Sequence, residues 1–221
     1  MSRLTLAVLL LLGLTLAGCS SPDDLTVLDT TVVTWPGEAG FTSGQVIVSV
    51  RNDASEPIDP DVLGRGRQTA ATLLDADGED VPGADARVQL HAVPHILDPG
   101  ELGYLIGDFD VPEPSDRVAG ARVDVNADDA DARSPVSVEG FELVESEEGI
   151  GAAGRLEWDG AGTAVARAIA LDADGAVLGY MATSEVRYDA GDFSMCCFPP
   201  TVYRGDIDEV AVFGDQTRED D

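Results

Sequence analysis

An all-β fold is what this 221-residue sequence predicts, and three observations carry the prediction. Apolar residues recur with period two, Gly and Pro interrupt the chain at short intervals, and one five-residue string occurs twice in matching surroundings. Period two with one apolar face is the pattern of a half-buried strand. Short strands separated by turn residues are the pattern of sandwiches and barrels.

The chain opens with Met1–Arg3, then the apolar run Leu4–Leu12 and Gly13-Leu14-Thr15-Leu16. A bilayer span takes about 20 apolar residues, so this run has instead the length of a secretory h-region. Leu16-Ala17-Gly18-Cys19 comes next, followed by Ser20, Ser21 and Pro22. These residues resemble the lipobox of bacterial lipoproteins. The resemblance implies a signal peptide over 1–18 removed before Cys19, a diacylglycerol on the Cys19 thiol, a palmitate-type acyl chain on its amine, and a tether over 19–24. Two or more acyl chains hold a protein stably where one does not. The expected location is therefore the extracytoplasmic face of the cell membrane, lipid-anchored.

Strand signals follow one another through the body. Val46, Val48 and Val50 alternate with Ile47, Ser49 and Arg51; Ala121, Val123 and Val125 alternate with Arg122, Asp124 and Asn126. Leu156 and Trp158 alternate with Arg155, Glu157 and Asp159, and Val210 and Val212 keep the same spacing. Gln68–Leu74 runs directly into an Asp-Gly turn and reads as a strand rather than a helix. Leu74-Asp75-Ala76-Asp77-Gly78 recurs as Leu171-Asp172-Ala173-Asp174-Gly175. Leu97-Asp98-Pro99-Gly100 is matched by Tyr188-Asp189-Ala190-Gly191, and each precedes an apolar alternation: Leu102, Tyr104 and Ile106, then Phe193, Met195 and Cys197. Ala121–Val125 corresponds in turn to Asp208–Val212. Matched elements in one order indicate a duplication, with each copy about the size of an immunoglobulin-like sandwich. The expected architecture is two tandem Ig-like β-sandwich domains, 25–126 and 136–215. They are joined by a charged linker over 127–135 that lacks strand pattern, and an acidic, frayed tail occupies 216–221.

Three segments of the first copy go further: Val46–Asn52, Thr72-Leu73-Leu74-Asp75 with Gly78, and Leu97-Asp98-Pro99-Gly100. Together they resemble the FxLYD-type domain of prokaryotic envelope lipoproteins, in which an apolar strand ends in Asn and a strand-turn with Asp and Gly precedes a Pro-Gly turn. The second copy keeps LDADG but has Trp158-Asp159-Gly160 in place of the Asn. The resemblance implies an Ig-like sandwich and assigns no catalytic residues.

Charge excludes other classes. The sequence holds 42 Asp and Glu against 13 basic residues, all of them Arg, for a formal net charge of −29. Nucleic-acid binding needs a basic face, so no nucleic-acid partner is expected. Electrostatic binding to anionic headgroups is disfavoured for the same reason. The carboxylates are spread along the whole chain, which suits a surface kept hydrated in a salt-adapted or high-GC host more than one patch built for a basic partner. Screening relieves self-repulsion, so the melting temperature should rise with added NaCl. A flat or falling curve in a thermal-shift series would refute this origin of the acidity.

Three groups of residues offer candidate chemistry. Cys196 and Cys197 are adjacent, and with Cys19 lipidated they have only each other or another molecule as partners. Neighbouring Cα atoms are closer than the usual disulfide separation, so a possible Cys196–Cys197 disulfide needs a kinked strand, for which Phe198-Pro199-Pro200 supplies a break. Inward packing of Cys197 beside a bystander Cys196, and a metal or redox role, are the other readings. Asp75, Asp77, Asp172 and Asp174 are candidate metal ligands, since DADG is similar to the start of a calcium loop. The remaining ligand positions of such a loop are missing, and an Asp-Gly turn accounts for the string without an ion. His91 and His95 are the two histidines, with Pro94 between them, and are expected at an exposed edge or loop. No catalytic motif is present, so neither enzymatic activity nor a cofactor is expected. The expected function is a non-catalytic binding or scaffolding module of the cell envelope with a protein partner there. The alternatives are a ligand- or metal-ion-binding lipoprotein and a redox sensor using Cys196 and Cys197.

Overall fold

The structure is a computed structural model of the chain and describes residues 25–37, 40–60, 68–81, 87–112, 118–159, 163–182, 186–187 and 190–217. The expected signal peptide (1–18), Cys19 and the expected tether (19–24) lie outside the described residues. The first half contains β1 (Leu25–Pro36), β2 (Phe41–Asn52), β3 (Ile58–Asp59), β4 (Ala70–Leu74), β5 (Val88–Gln89), β6 (His91–Val93), β7 (Leu102–Pro112) and β8 (Gly120–Asp124). After β9 (Asp128–Asp129) come β10 (Val136–Ser146), β11 (Gly149–Trp158), β12 (Thr163–Leu171), β13 (Val177–Ala182), β14 (Val186–Arg187), β15 (Ala190–Met195) and β16 (Glu209–Thr217). The fold is all-β: among the described residues the helical content is a single 3-10 turn at Arg204–Asp206.

Every strand pairing is antiparallel, and the two halves repeat one topology. In the first half β1-β2-β7 form one sheet, extended by β6, and β5-β4-β8 form the other. In the second half β10-β11-β15 form one sheet, while β12 is flanked by β16 on one side and by β13 and β14 on the other. The LDADG turns leave the corresponding strands β4 and β12.

Each half closes its own core. Val46, Val48 and Val50 of β2 and Leu105, Phe109 and Val111 of β7 meet Ala71 and Leu73 of β4. In the second half Ala164, Ala166, Ala168 and Ala170 line one face of β12, all fully buried. They face Leu156 and Trp158 of β11 with Phe193 and Met195 of β15. A stripe of small residues opposite large ones lets two sheets approach and still fill the space between them. Both halves also lay a phenylalanine across a glycine on the neighbouring strand. Gly44 is paired with Phe109 and Gly154 with Phe193, and a Cβ at either glycine would overlap the ring. Gly44→Ala should therefore cost about 1–3 kcal/mol, the range for an overpacked core. Urea denaturation measures it, and an unchanged midpoint would mean that the ring moves aside freely.

Part of the outer face of β2 and β12 is buried as well, at Gln45 and Ile47 and at Val165 and Ile169. Ile47, Val93 and Ile106 of the first half pack with Ile169 and Val177 of the second in a third cluster, bordered by Tyr104, Leu171, Tyr180, Ala211 and Phe213. The Tyr104 and Phe213 rings meet edge to face, 5.9 Å between centroids. The β1-β2-β7-β6 sheet of one half thus lies against the β12 sheet of the other. Strands buried on both faces lose the clean alternation of half-buried ones.

Three sequence expectations change accordingly. On β7 the residues facing the first core are Gly103, Leu105, Phe109 and Val111. Leu102 is exposed, and Ile106 faces the second half. Within the expected linker 127–135, Asp128 and Asp129 pair as β9 with Asp59 and Ile58 of β3, and Arg133 forms an ion pair with Glu101 at 2.6 Å. Of the expected frayed tail, Gln216 and Thr217 belong to β16 and pair with Ala164 and Thr163, because the β12 ladder continues through them.

Candidate functional site

The two LDADG turns are built alike. Asp75 Oδ1 accepts the amides of Asp77 at 3.0 Å and Glu79 at 2.9 Å; Asp172 Oδ1 accepts those of Asp174 and Ala176, both at 2.9 Å. Gly78 and Gly175 sit at φ of +80° and +79°, the left-handed region where glycine carries no steric penalty. The first carboxylate of each string is thus a turn-capping group. The duplication legible in the sequence is a duplicated turn. Among the described residues, no group of three His, Cys, Asp or Glu side chains is placed to hold a metal ion.

The structure joins Cys196 to Cys197 through a disulfide. β15 ends at Met195, so Cys197 falls beyond the strand rather than in the alternation with Phe193 and Met195. Cys196 is exposed and Cys197 half-buried. The pair lies beside the tip of the β10–β11 hairpin, where Cys196 Sγ is 3.8 Å from Glu148 Oε2. Beyond it, the Phe198 amide donates to the Ile150 carbonyl at 2.9 Å, and Phe198, Val202 and Ile207 enter the second core.

A charged cluster that the sequence did not disclose lies where the halves meet. Asp215, on β16, has a side chain only 2% exposed. Its Oδ2 takes Arg167 Nη1 of β12 in an ion pair and accepts the His95 amide at 3.3 Å, while Oδ1 lies 3.2 Å from His95 Nδ1. His95 is thus half-buried and held, in contrast to the exposed position expected for it; His91, on β6, is exposed. Asp215 is one of 42 acidic residues and carries no motif. The available signal was Arg167, the single charge within the apolar run Thr163–Leu171.

Next to this cluster Gln45 completes the junction like a short ladder. Its Nε2 donates to the Tyr180 carbonyl at 3.2 Å, and its Oε1 accepts the Tyr180 amide at 3.1 Å. A cleft of about 370 Å³ opens between the halves, lined by Gln89, His91, Ile106, Asp108, Arg167 and Tyr180. Burial pushes the Tyr180 phenol above its usual value near 10.0, with Arg167 pulling the other way and Asp108 and Asp215 adding to the rise. Burial and then Glu209 raise the Tyr104 phenol similarly. A raised folded-state value means that the unfolded chain ionises first. The stabilisation is whole below about pH 10 and is lost as pH climbs through the folded-state values. Alkaline titration of Tyr104 and Tyr180, each followed by the phenolate absorbance lost in its Phe variant, should find both ionising late, together with loss of structure. Ionisation of either at the value of free tyrosine in the folded protein would contradict it.

The arrangement defines a class: an all-β protein of two topologically matching halves locked face to face around a buried ion pair. Compared with known proteins, the chain matches no family model, no curated protein and no solved structure.

Proposed function

We propose that this chain is a lipoprotein held at the extracytoplasmic membrane face through Cys19, and that its two Ig-like halves act as a non-catalytic binding or scaffolding module of the cell envelope. The observation that carries the reading is Leu16-Ala17-Gly18-Cys19 directly behind an apolar run of h-region length. The FxLYD-like segments of the first half support it. So does the use made of the conspicuous polar groups: Asp75 and Asp172 cap turns, and Asp215, Arg167 and Gln45 fasten one half to the other. What remains outward is a broad acidic surface, to which a partner with a basic face would be steered.

Metabolic labelling with an alkyne fatty acid tests the anchor. Label on the wild type and none on Cys19→Ala, with the variant released from membranes, is the expected result; unmodified Cys19 in membrane extracts overturns it. Crosslinking in living cells tests the module. A defined envelope protein joined to the anchored form and lost with Cys19→Ala supports it, and no specific adduct in either sample overturns it.

A further inference from the structure

We propose that the Cys196–Cys197 disulfide is a thiol–disulfide exchange site, reduced by a dithiol that carries no net negative charge, an inference that rests on the function proposed above only in placing that dithiol outside the cytoplasm. Three observations place it there. First, the bond does little to hold the fold. It links residues one apart in sequence, so it closes the shortest loop a disulfide can, and the chain-entropy contribution is least for short loops. The neighbouring chain is fixed by other means: Met195 pairs with Ala152, the Phe198 amide bonds to the Ile150 carbonyl, and Phe198 is buried at 3% exposure. Second, Cys196 is exposed, and exposed disulfides are the labile ones. Third, the setting discriminates among reductants. Glu147 and Glu148 form the adjacent hairpin tip, Glu148 Oε2 lies 3.8 Å from Cys196 Sγ, and the chain carries a formal charge of −29.

The exchange runs in two steps. A thiolate of the dithiol attacks the exposed Cys196 Sγ, breaking the Cys196–Cys197 bond and forming a mixed disulfide. The electron pair leaves on Cys197 Sγ, which takes a proton from solvent. The second thiol of the reductant, deprotonated, then attacks its own sulfur in the mixed disulfide and expels Cys196 as a thiolate, which is protonated in turn. Two electrons pass from the dithiol to the protein, leaving a cyclic or intramolecular disulfide on the reductant and two thiols on the chain. Cys197 rather than Cys196 is expelled first because Cys196 is the exposed sulfur an incoming thiolate reaches, while Cys197 is half-buried behind it.

The full-length chain carrying Cys19→Ser, with the pair as its sole cysteines, serves for the test. Folded protein is exposed to dithiothreitol, quenched with a maleimide polymer that shifts the band once per thiol, and followed by circular dichroism in parallel. Two labels with an unchanged spectrum are expected; labels that appear only as the spectrum collapses overturn the proposal. Opening by monothiols at equal thiolate concentration reads the charge selection. At low salt, cationic cysteamine should exceed anionic glutathione by about tenfold or more, beyond their ratio on a neutral model disulfide. The excess should shrink at about 0.5 M NaCl, and Glu148→Gln should raise the glutathione rate severalfold. A ratio equal to that of the model disulfide at low salt overturns the selection. Finally, the mixed disulfide trapped by acid quench after brief exposure of the wild-type pair to cysteamine should be located on Cys196 by fragmentation mass spectrometry. An adduct on Cys197 overturns Cys196 as the attacked sulfur. The wild-type measurements stand even where a single variant fails to fold.

Discussion

Asp215→Ala is expected to lower the unfolding free energy by about 3 kcal/mol, the lower end of the range for breaking a buried ion pair. Asp215 lies almost wholly out of water, and its carboxylate receives Arg167 and the His95 amide at once. Removing it leaves the Arg167 guanidinium without the carboxylate it is paired with at the junction. The Arg167 side chain retains 21% of its exposure, and that residual solvation keeps the cost from the top of the range. The damage comes from the orphaned charge rather than from loss of a strong bond. Asp215→Leu combined with Arg167→Leu should accordingly restore most of the stability, since a well-packed apolar pair often replaces a buried ion pair at little cost. Guanidinium denaturation of the two single variants and the double one decides it. A double variant as unstable as the sum of the singles would refute the argument.

Ile169→Ala carries the second large effect, about 2–5 kcal/mol, the range for deleting a fully buried aliphatic side chain. Ile169 is fully buried, yet its face of β12 looks at Ile47, Val93 and Ile106 of the first half rather than into the second core. The cavity therefore opens between the halves. Wild-type protein is expected to melt in one calorimetric transition, and Ile169→Ala should move that transition down as a whole. A variant in which the second half alone shifts, with the first unaltered, would show that the cluster does not couple them. Ala168, the neighbour on the opposite face, belongs to the second core and provides the contrast.

Much of the fold could be read from particular residues. Val46, Val48 and Val50, Leu156 and Trp158 alternate as half-buried strands should, and all five are buried. The repeated LDADG string marks a repeated turn with the same hydrogen bonds and the same left-handed glycine. Where the reading failed, a strand had two buried faces. Leu102, Tyr104 and Ile106 present a fair apolar alternation, but so do Leu105, Phe109 and Val111 in the other phase, and periodicity cannot rank two apolar phases. The linker and tail residues were missed for a different reason. Asp128–Asp129 and Gln216–Thr217 are polar, and they join ladders through backbone groups that leave no trace in side-chain pattern. Of the candidate sites, the cysteine pair was evident from adjacency alone, its bonding was not, and Asp215 was hidden among its many equivalents.

The junction between the halves is made by unlike sheets. The first half offers its β1-β2-β7-β6 sheet and the second its β12 sheet, which corresponds in topology to β5-β4-β8. Contacts of this head-to-tail kind are not self-limiting, and repeated from one molecule to the next they generate open filaments. The two outward sheets are the very counterparts that such growth would join. On the β10-β11-β15 side the exposed positions carry Glu139, Glu142, Arg155, Glu157 and Asp192, a predominantly acidic surface where the inner junction has isoleucine and valine. On the β5-β4-β8 side Arg122 is tied to Asp80 and Arg87 to Asp124, each at 3.0 Å. These charges act as end caps, as polar terminal repeats do in solenoids. Charges at these positions disfavour the continued stacking that a repeated topology would otherwise permit.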